Sequence, residues 1–377
     1  IIGNPPFLGH ATRSKEQAQE LRNVWGFKDI GRLDYVTGWY KKALDYFSHV
    51  DSGRFAFVST NSITQGEPVP ALFEPIFKAG WRIRFAHRTF AWSSEAPGAA
   101  AVHCVVIGYD RERKPAPRLF TYPDTKGNAV ELPATNINAY LIDGPNLFVE
   151  QRRQILSPDL KPVTFGNMPR DGGNLILNED GYREAMADPH AAKYVRRFIG
   201  ARELIHGLKR WCLWMDGSDF DPADVARSPL LRQRLEAVRS MRSESSAAST
   251  RAMAETPHLF GQRSQPDVPF ICIPSVVSEN RRYFTVEHFP ADVIASNLTF
   301  KAPDPDGFLF GVISSSMFIT WQRAVGGRMK SDLRFSNTIV WNNLPLPDVD
   351  AAMRQAIIGA GEGVLEAREL HPERSLA

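Results

Sequence analysis

The sequence predicts an α/β fold: the second half of a doubly wound sheet, then a mixed α+β region and a C-terminal helix. Residues 1–112 alternate strand-like apolar runs with helical spacing, and from residue 166 the pattern changes to glycine-rich turns and short aromatic strands. A final helical stretch follows Pro347. The predicted parts are a first domain at 1–112, a Pro-rich linker with short strands at 113–165, a second domain at 166–347 and a helical segment at 348–377.

Periodicity and end signals give the elements of the first region. The first strand ends at Gly3, and Gly80 closes the second of two helices. We predict, in order, a helix at 34–48, a strand at 54–59, a helix at 70–78, and strands at 81–90 and 101–109 joined by a loop at 91–100. If the last two strands are antiparallel, their loop lies at the carboxyl edge of the sheet, where open α/β sheets bind ligands.

The second region mixes short strands and helices. Ser228 followed by Pro229 predicts a helix start with a side-chain cap and a first-turn proline. The other expected elements are a helix near 182–187, strands at 211–215, 270–273, 283–286 and 311–320, and a final helix at 351–369.

Composition restricts the class of protein. The chain has 377 residues, 43% of them hydrophobic and 23% charged, as in a folded globular protein. A net charge of +3 permits a nucleic-acid partner without demanding one. Residues 193–242 hold eleven Lys or Arg against six Asp or Glu, so we expect a phosphate-contacting face there, the alternative being a solvated helical surface.

No apolar run approaches the ~18 residues of a membrane span, and no signal peptide opens the chain, which favours a cytoplasmic protein.

The three cysteines, Cys104, Cys212 and Cys272, are far apart and form no Cys-x-x-Cys pair. Neither a disulfide framework nor a zinc site is expected, and no metal is predicted. Cys104 lies in an apolar run, where a buried thiol behaves as a small hydrophobe.

The most informative motif is Asn4-Pro5-Pro6-Phe7, directly after an apolar strand end. The amine on an aromatic base is a poor nucleophile because its lone pair is delocalised into the ring. The Asn4 side-chain oxygen and the Pro5 carbonyl can accept its hydrogens and orient the lone pair, while Phe7 offers a stacking face. The plain alternative is an ordinary Pro-Pro turn.

This motif resembles the catalytic motif of gamma-class N6-adenine DNA methyltransferases. Four further stretches resemble MmeI-like (Type IIL/IIG) fused restriction-modification enzymes: residues 54–63, 231–242, 278–283 and 339–345. The resemblance covers nearly the whole chain. It implies site-specific adenine methylation, S-adenosylmethionine as cofactor, double-stranded DNA as partner, a Rossmann-like methyltransferase sheet at 1–112 and a target recognition domain at 166–347.

The family also implies a nuclease, a helical spacer and a Phe-x-Gly-x-Gly cofactor loop upstream. None of these is in the sequence. The segments most similar to the cofactor loop are residues 165–168 and 310–312. Glu112-Arg113-Lys114 lacks the preceding Pro-Asp of a nuclease site. We therefore expect the chain to be the C-terminal part of a longer polypeptide, and to bind the methyl donor poorly and to be inactive alone.

Flipping a base out of the duplex costs stacking energy that the pocket must recover, so we expect a second aromatic residue, besides Phe7, to line the base pocket. Phe90 is the better match to the family's aromatic residue, with Trp92 close behind; the alternative for each is core packing. His87 and His103 are expected to be structural, since a sulfonium donor is already activated.

Sequence readout is expected between 166 and 347. Lys330 and Asp332 could read one G·C pair if residues 330–334 are extended, since lysine donates to guanine and aspartate accepts from cytosine. The alternative is a surface charge pair. The candidate DNA-recognition residues are Arg281, Arg282, Arg328, Lys330, Asp332 and Arg334.

Two rival functions remain at this stage. One is a DNA-binding specificity module without catalysis of its own. The other is a protein-glutamine methyltransferase, which uses a similar Asn-Pro-Pro loop, but a peptide substrate needs no additional reader of about two hundred residues.

Overall fold

The computed structural model describes residues 1–27, 30–50, 52–92, 102–112, 114–123, 127–217, 220–329 and 331–377. Most of the predicted 91–100 loop, and Lys330, lie outside these residues. Packing divides the chain into two units, one of residues 1–153 with 321–343 and one of 154–320 with 344–377. The domain boundaries given above stay predictions.

The first 153 residues contain six strands and three helices in the described part of the chain, with 3-10 turns at Phe47–His49 and Asn61–Thr64. The elements are β1 (Ile2–Gly3), α1 (Lys15–Trp25), α2 (Thr37–Tyr46), β2 (Phe55–Thr60), α3 (Pro68–Lys78), β3 (Arg82–Trp92), β4 (Val102–Asp110), β5 (Arg118–Thr121) and β6 (Val130–Leu132).

Shorter elements follow. They are β7 (Thr164–Phe165), β8 (Ile176–Leu177), α4 (Glu179–Ala187), α5 (Pro189–Ala192), β9 (Val195–Ile199), α6 (Ala201–His206), β10 (Trp211–Leu213), α7 (Pro222–Arg227), α8 (Pro229–Ser243), α9 (Ala248–Arg251), β11 (Phe270–Pro274), β12 (Val276–Val277), β13 (Glu287–Phe289), β14 (Ile294–Ala295), β15 (Thr299–Pro303), α10 (Phe308–Ile313), α11 (Ser316–Val325), β16 (Gly327–Met329), β17 (Asp332–Arg334) and α12 (Ala351–Glu369). Two further short turns lie at Ala252–Glu255 (3-10) and Asn337–Trp341 (π-helical).

The first sheet has strand order β1-β2-β4-β3-β5-β6. β1 is parallel to β2, and β4 is antiparallel to both β2 and β3. The carboxyl ends of β1, β2 and β3 therefore lie at one edge, as predicted for an antiparallel β3–β4 pair. Thr60 and Phe90 both register with Cys104, so these residues form one row near that edge. The α/β prediction is confirmed.

The core of this sheet is aromatic. Tyr40 from α2 is fully buried, and its hydroxyl lies 2.7 Å from Ser59 Oγ on β2. Phe55 stacks on Tyr109 at 4.7 Å. Cys104 is also fully buried, as expected for a thiol acting as a small hydrophobe. The packed core fixes β2 and β4, beside which the Asn4 motif emerges.

The second unit contains sheets of order β14-β9-β10-β8 and β13-β11-β15-β7. Ser228 caps α8 by accepting from the Leu231 N–H, and Pro229 is its first residue, both as predicted. Of the four arginines of α8, Arg232 and Arg239 are exposed, whereas the other two bond within the unit. Arg242 is fully buried, and Arg234 donates to the Asn174 carbonyl. Their charge is used inside the unit.

Three sequence predictions of secondary structure were wrong. Residues 311–320 form parts of α10 and α11, not a strand, and residues 283–286 precede β13 instead of forming a strand. The buried Asp304 carboxylate explains α10, since it accepts from the Leu309 and Phe310 N–H groups that open the helix. The first crossover helix begins at Thr37, not at residue 34.

The Pro-rich stretch 113–165 contributes to the first sheet. β5 pairs parallel with β3, and β6 pairs antiparallel with β5. Its short strands thus extend the sheet beyond residue 112. Within the described residues, no helix is long and apolar enough to cross a membrane.

Candidate catalytic edge and recognition hairpin

The Asn4 motif lies at the carboxyl end of β1, where Gly3 registers with Phe57 of β2. Pro5 is buried and Phe7 is half-buried against the core, whereas Asn4 is exposed. Across the described part of the chain, no side chain or main chain hydrogen-bonds to the Asn4 amide. The turn is thus anchored by Pro5 and Phe7, while Pro6 is exposed and the amide is presented outward.

The backbone after the motif is held by Asp34. The Asp34 carboxylate accepts from the Leu8 N–H at 3.0 Å, and the Tyr35 N–H donates to the Leu8 carbonyl at 3.0 Å. Arg13 donates to the Leu33 carbonyl at 2.6 Å. These bonds fasten the segment that follows Phe7 to the start of the crossover helix.

An aromatic cluster lies at the carboxyl end of β3. Phe90 is 5.2 Å from Tyr122 and 6.2 Å from Trp92 between ring centroids. Trp92 is 41% exposed, so it can still contact a ligand, while Phe90 is half-buried. The two predicted wall residues are thus neighbours at the edge that also carries Asn4.

His87 is part of this cluster. Its ring stacks on Phe120 at 4.4 Å, and its Nδ1 lies 2.9 Å from the Tyr122 hydroxyl. Burial, and secondarily the charge of Arg118, lower the pKa of His87 below its usual value, so the ring is neutral at pH 7.

Cys104 cannot serve as a nucleophile at neutral pH. Burial raises the pKa of its thiol to about 11, so the thiolate is a minor species at pH 7. Among the described residues, no group of three or more His, Cys, Asp or Glu could hold a metal ion.

The predicted readout residues lie on two structures. β16 and β17 form a hairpin in which Arg328 registers with Leu333 and Met329 with Asp332. Asp332 and Arg334 share one face by alternation, while Leu333 points to the other face and is buried. Lys330 lies outside the described residues, so its place on that face stays a prediction.

Arg281 and Arg282 belong to the second unit. The Arg281 N–H closes a turn on the Ser278 carbonyl at 3.2 Å. Arg282 is exposed, and its guanidinium lies 5.4 Å from the Tyr283 ring centroid. An arginine beside an exposed aromatic ring suits contact with phosphate or a base.

Sequence reasoning did not identify the role of two residues at the candidate catalytic edge. Asp34 was taken as the first residue of a helix, and Tyr122 was assigned to a linker. An Asp three residues before a helix start was the available signal for Asp34. Tyr122 had none, because its role arises from the pairing of β5 with β3.

Comparison with known proteins agrees with this arrangement. The family described as "MmeI, DNA-methyltransferase domain" matches residues 1–121, and "MmeI, target recognition domain" matches residues 143–348. DNA methyltransferase A of Bacillus subtilis (strain 168) is 34% identical over 376 residues, which are 99% of this chain and 41% of that protein.

A solved structure gives the same assignment. The Type IIL restriction-modification enzyme MmeI in complex with DNA is 39% identical, with a TM-score of 0.87, over 100% of this chain and 50% of that one. The chain spans about half the length of these relatives or less. It belongs to the MmeI family, and it contains the family's DNA-methyltransferase domain followed by the target recognition domain.

Proposed function

We propose that this chain supplies the catalytic loop and the DNA-reading part of an enzyme that methylates adenine N6 at a specific DNA site. The observation that carries the proposal is the exposed Asn4 amide at the carboxyl edge of the sheet, on a turn whose Pro5 is buried. We propose a cytoplasmic location, because the expected substrate is DNA.

The chemistry follows from the acceptors. The Asn4 side-chain oxygen and the Pro5 carbonyl would each accept one hydrogen of the adenine amine, turning the nitrogen lone pair out of the ring system. Phe7 would stack on the flipped base, and Phe90 with Trp92 would form the facing wall. Asparagine in the first position favours adenine, whereas serine would favour cytosine N4. The high pKa of Cys104 agrees with direct transfer and no covalent enzyme intermediate.

S-adenosylmethionine would supply the methyl group on a sulfonium, an already activated donor. The residues present do not fit a complete site for it, since the chain has no Phe-x-Gly-x-Gly turn between a strand and a helix. We propose that the cofactor loop and the nuclease are supplied by another part of the same polypeptide, since the matched relatives are at least about twice as long as this chain.

Sequence selection is assigned to the recognition domain. The β16–β17 hairpin carries Asp332 and Arg334 on one face, whereas Arg328, paired with Leu333, lies on the other face and donates to the Ser331 carbonyl at 2.8 Å. Arg281 and Arg282 lie on a separate turn. A two-stranded ribbon fits the major groove, where donor and acceptor patterns distinguish every base pair.

Methylome sequencing tests the proposal. Cells expressing the intact polypeptide should carry N6-methyladenine at one defined motif, and cells expressing the Asn4→Ala form should not. Asn23→Ala, an exposed asparagine on α1, is the matched control and should leave the pattern unchanged. A methylome without N6-methyladenine would refute the proposal.

The alternative is a specificity module that binds DNA without catalysis. It is favoured by the chain's limited coverage of its relatives, which leaves out the expected cofactor loop. Gel-shift assays with and without cofactor separate the two. Site-specific binding by this chain without methyl transfer would support the alternative.

A further inference from the structure

Asp34 connects three separate segments at the catalytic edge. One carboxylate oxygen accepts from the Leu8 N–H at 3.0 Å and from the Val36 N–H at 3.1 Å. The other accepts from the Thr60 hydroxyl at 3.2 Å. The side chain is only 4% exposed. A buried carboxylate is tolerated when such donors satisfy it, so the three bonds are the reason for its place here.

Each donor belongs to an element that shapes the catalytic edge. Leu8 directly follows the Asn4–Phe7 motif, and Val36 precedes the first residue of α2. Thr60 ends β2 and lies in the row that continues through Cys104 to Phe90. A single carboxylate thus ties the end of the catalytic turn to the strand that leads toward the predicted base wall.

The Asn4 amide depends on this support, because the described residues offer it no hydrogen bond of their own. Its position is set by the backbone on both sides. Before it, Gly3 is paired with Phe57; after it, Leu8 donates to Asp34 and accepts from the Tyr35 N–H. Without Asp34, the second anchor loses the bond at its N–H and keeps only the one at its carbonyl, so the turn is held less firmly.

We propose that Asp34 is a positioning residue for the transfer reaction. It holds the catalytic turn against β2, so that the acceptors of Asn4 and Pro5 face the target amine, and it acts through the main chain without touching the substrate. The inference rests on the function proposed above. Because a misplacement of about 1 Å can cost ~10²-fold in rate, the expected effect is on the chemical step and not on DNA binding.

The test compares variants of the intact polypeptide. Asp34→Ala removes all three bonds, Asp34→Asn keeps one acceptor oxygen, and Thr60→Val removes a single donor. Asp143→Ala is the matched control: Asp143 accepts from the Thr135 and Asn136 N–H groups at 2.8 and 3.0 Å, in a loop apart from the motif. Three quantities are measured: the single-turnover rate of N6 methylation, the Kd for DNA, and amide hydrogen exchange in the peptide of residues 5–12.

For Asp34→Ala we expect a rate about 10- to 100-fold lower, a DNA Kd within about twofold of wild type, and faster exchange in the 5–12 peptide. Asp34→Asn should recover part of the rate, and Asp143→Ala should match wild type. A rate within about threefold of wild type together with unchanged exchange would overturn the inference. An equal loss in Asp143→Ala would also overturn it, because the role would then be general stability.

If Asp34→Ala does not fold, Asp34→Asn and Thr60→Val decide the matter, and wild-type rates and exchange in both would refute the inference. Failure of the proposed function is visible separately, since the wild-type polypeptide would then methylate no adenine. The exchange measurement still reports in that case whether Asp34 holds the turn.

Discussion

Arg242 provides a quantitative test of what stabilises the second unit, residues 154–320 with 344–377. Its guanidinium is fully buried and donates to the main-chain carbonyls of five residues at 2.8–3.0 Å, namely Pro169, Arg170, Met253, Thr256 and Leu259. One side chain on α8 therefore joins two loops distant in sequence. We predict that Arg242→Met destabilises this unit strongly.

The magnitude follows from the acceptors that remain. A buried ion pair can be replaced by apolar residues because both partners leave, but here the carbonyls belong to the main chain and stay. Each buried acceptor left without a donor costs about 1–3 kcal/mol, and some of the five will be rehydrated. The expected loss is about 3–5 kcal/mol, a large part of the ~5–15 kcal/mol that stabilises a typical domain.

Urea unfolding followed by tryptophan fluorescence measures this loss. Arg232→Met is the control, because Arg232 is an exposed residue of the same helix, and it should change stability by less than about 0.5 kcal/mol. A free energy of unfolding for Arg242→Met within about 1 kcal/mol of wild type would refute the reasoning, since the carbonyls would then need no donor.

Two further predictions concern pH and specificity. Burial lowers the pKa of Lys301 to about 8 from 10.5, so between these values the unfolded chain holds a proton that the folded chain has lost, and stability rises with pH. Lys301→Met should abolish that rise in urea midpoints at pH 7.5 and 10; equal slopes in variant and wild type would contradict it. Exchanging charges with Lys330→Glu and Asp332→Arg should change the methylated motif at one base pair, read by methylome sequencing, and an unchanged motif would remove the readout hypothesis.

Elements defined by local signals were predictable. The final helix was predicted at 351–369, the bounds of α12. The β3–β4 pair and the cap at Ser228 were also predicted, because alternation, capping side chains and turn residues are patterns of residues that are neighbours in the sequence. These elements form the sheet edge at which the candidate catalytic motif lies.

Elements that depend on contacts between residues distant in the sequence could not be predicted. Residues 308–320 are apolar with several β-branched side chains, which favours a strand, yet Asp304 and the packing of Gly311 select a helix. A Cβ at Gly311 would lie 2.5 Å from the Ile357 carbonyl oxygen of α12, so the two helices can approach only at glycine. Such a choice depends on a partner nearly fifty residues away.

The candidate site shows the same division. The Asn4 motif could be identified from its four residues, because the chemistry requires those groups in that order. The role of Asp34 could not, since two of its three donors, the Leu8 N–H and the Thr60 hydroxyl, come from segments that only the fold brings to it. The buried Arg242 was assigned to a surface because composition counts charge without reporting where the charge lies.

The most direct test of the account is single-turnover methylation by the intact polypeptide with alanine at position 4. Removing one preorganised polar contact in other enzymes costs about 10²–10³ in rate, and the account predicts a loss of this size with DNA affinity retained. The Asn23→Ala protein should react at the wild-type rate. Adenine methylation at an undiminished rate by the Asn4→Ala protein would show that this amide does not hold the target amine.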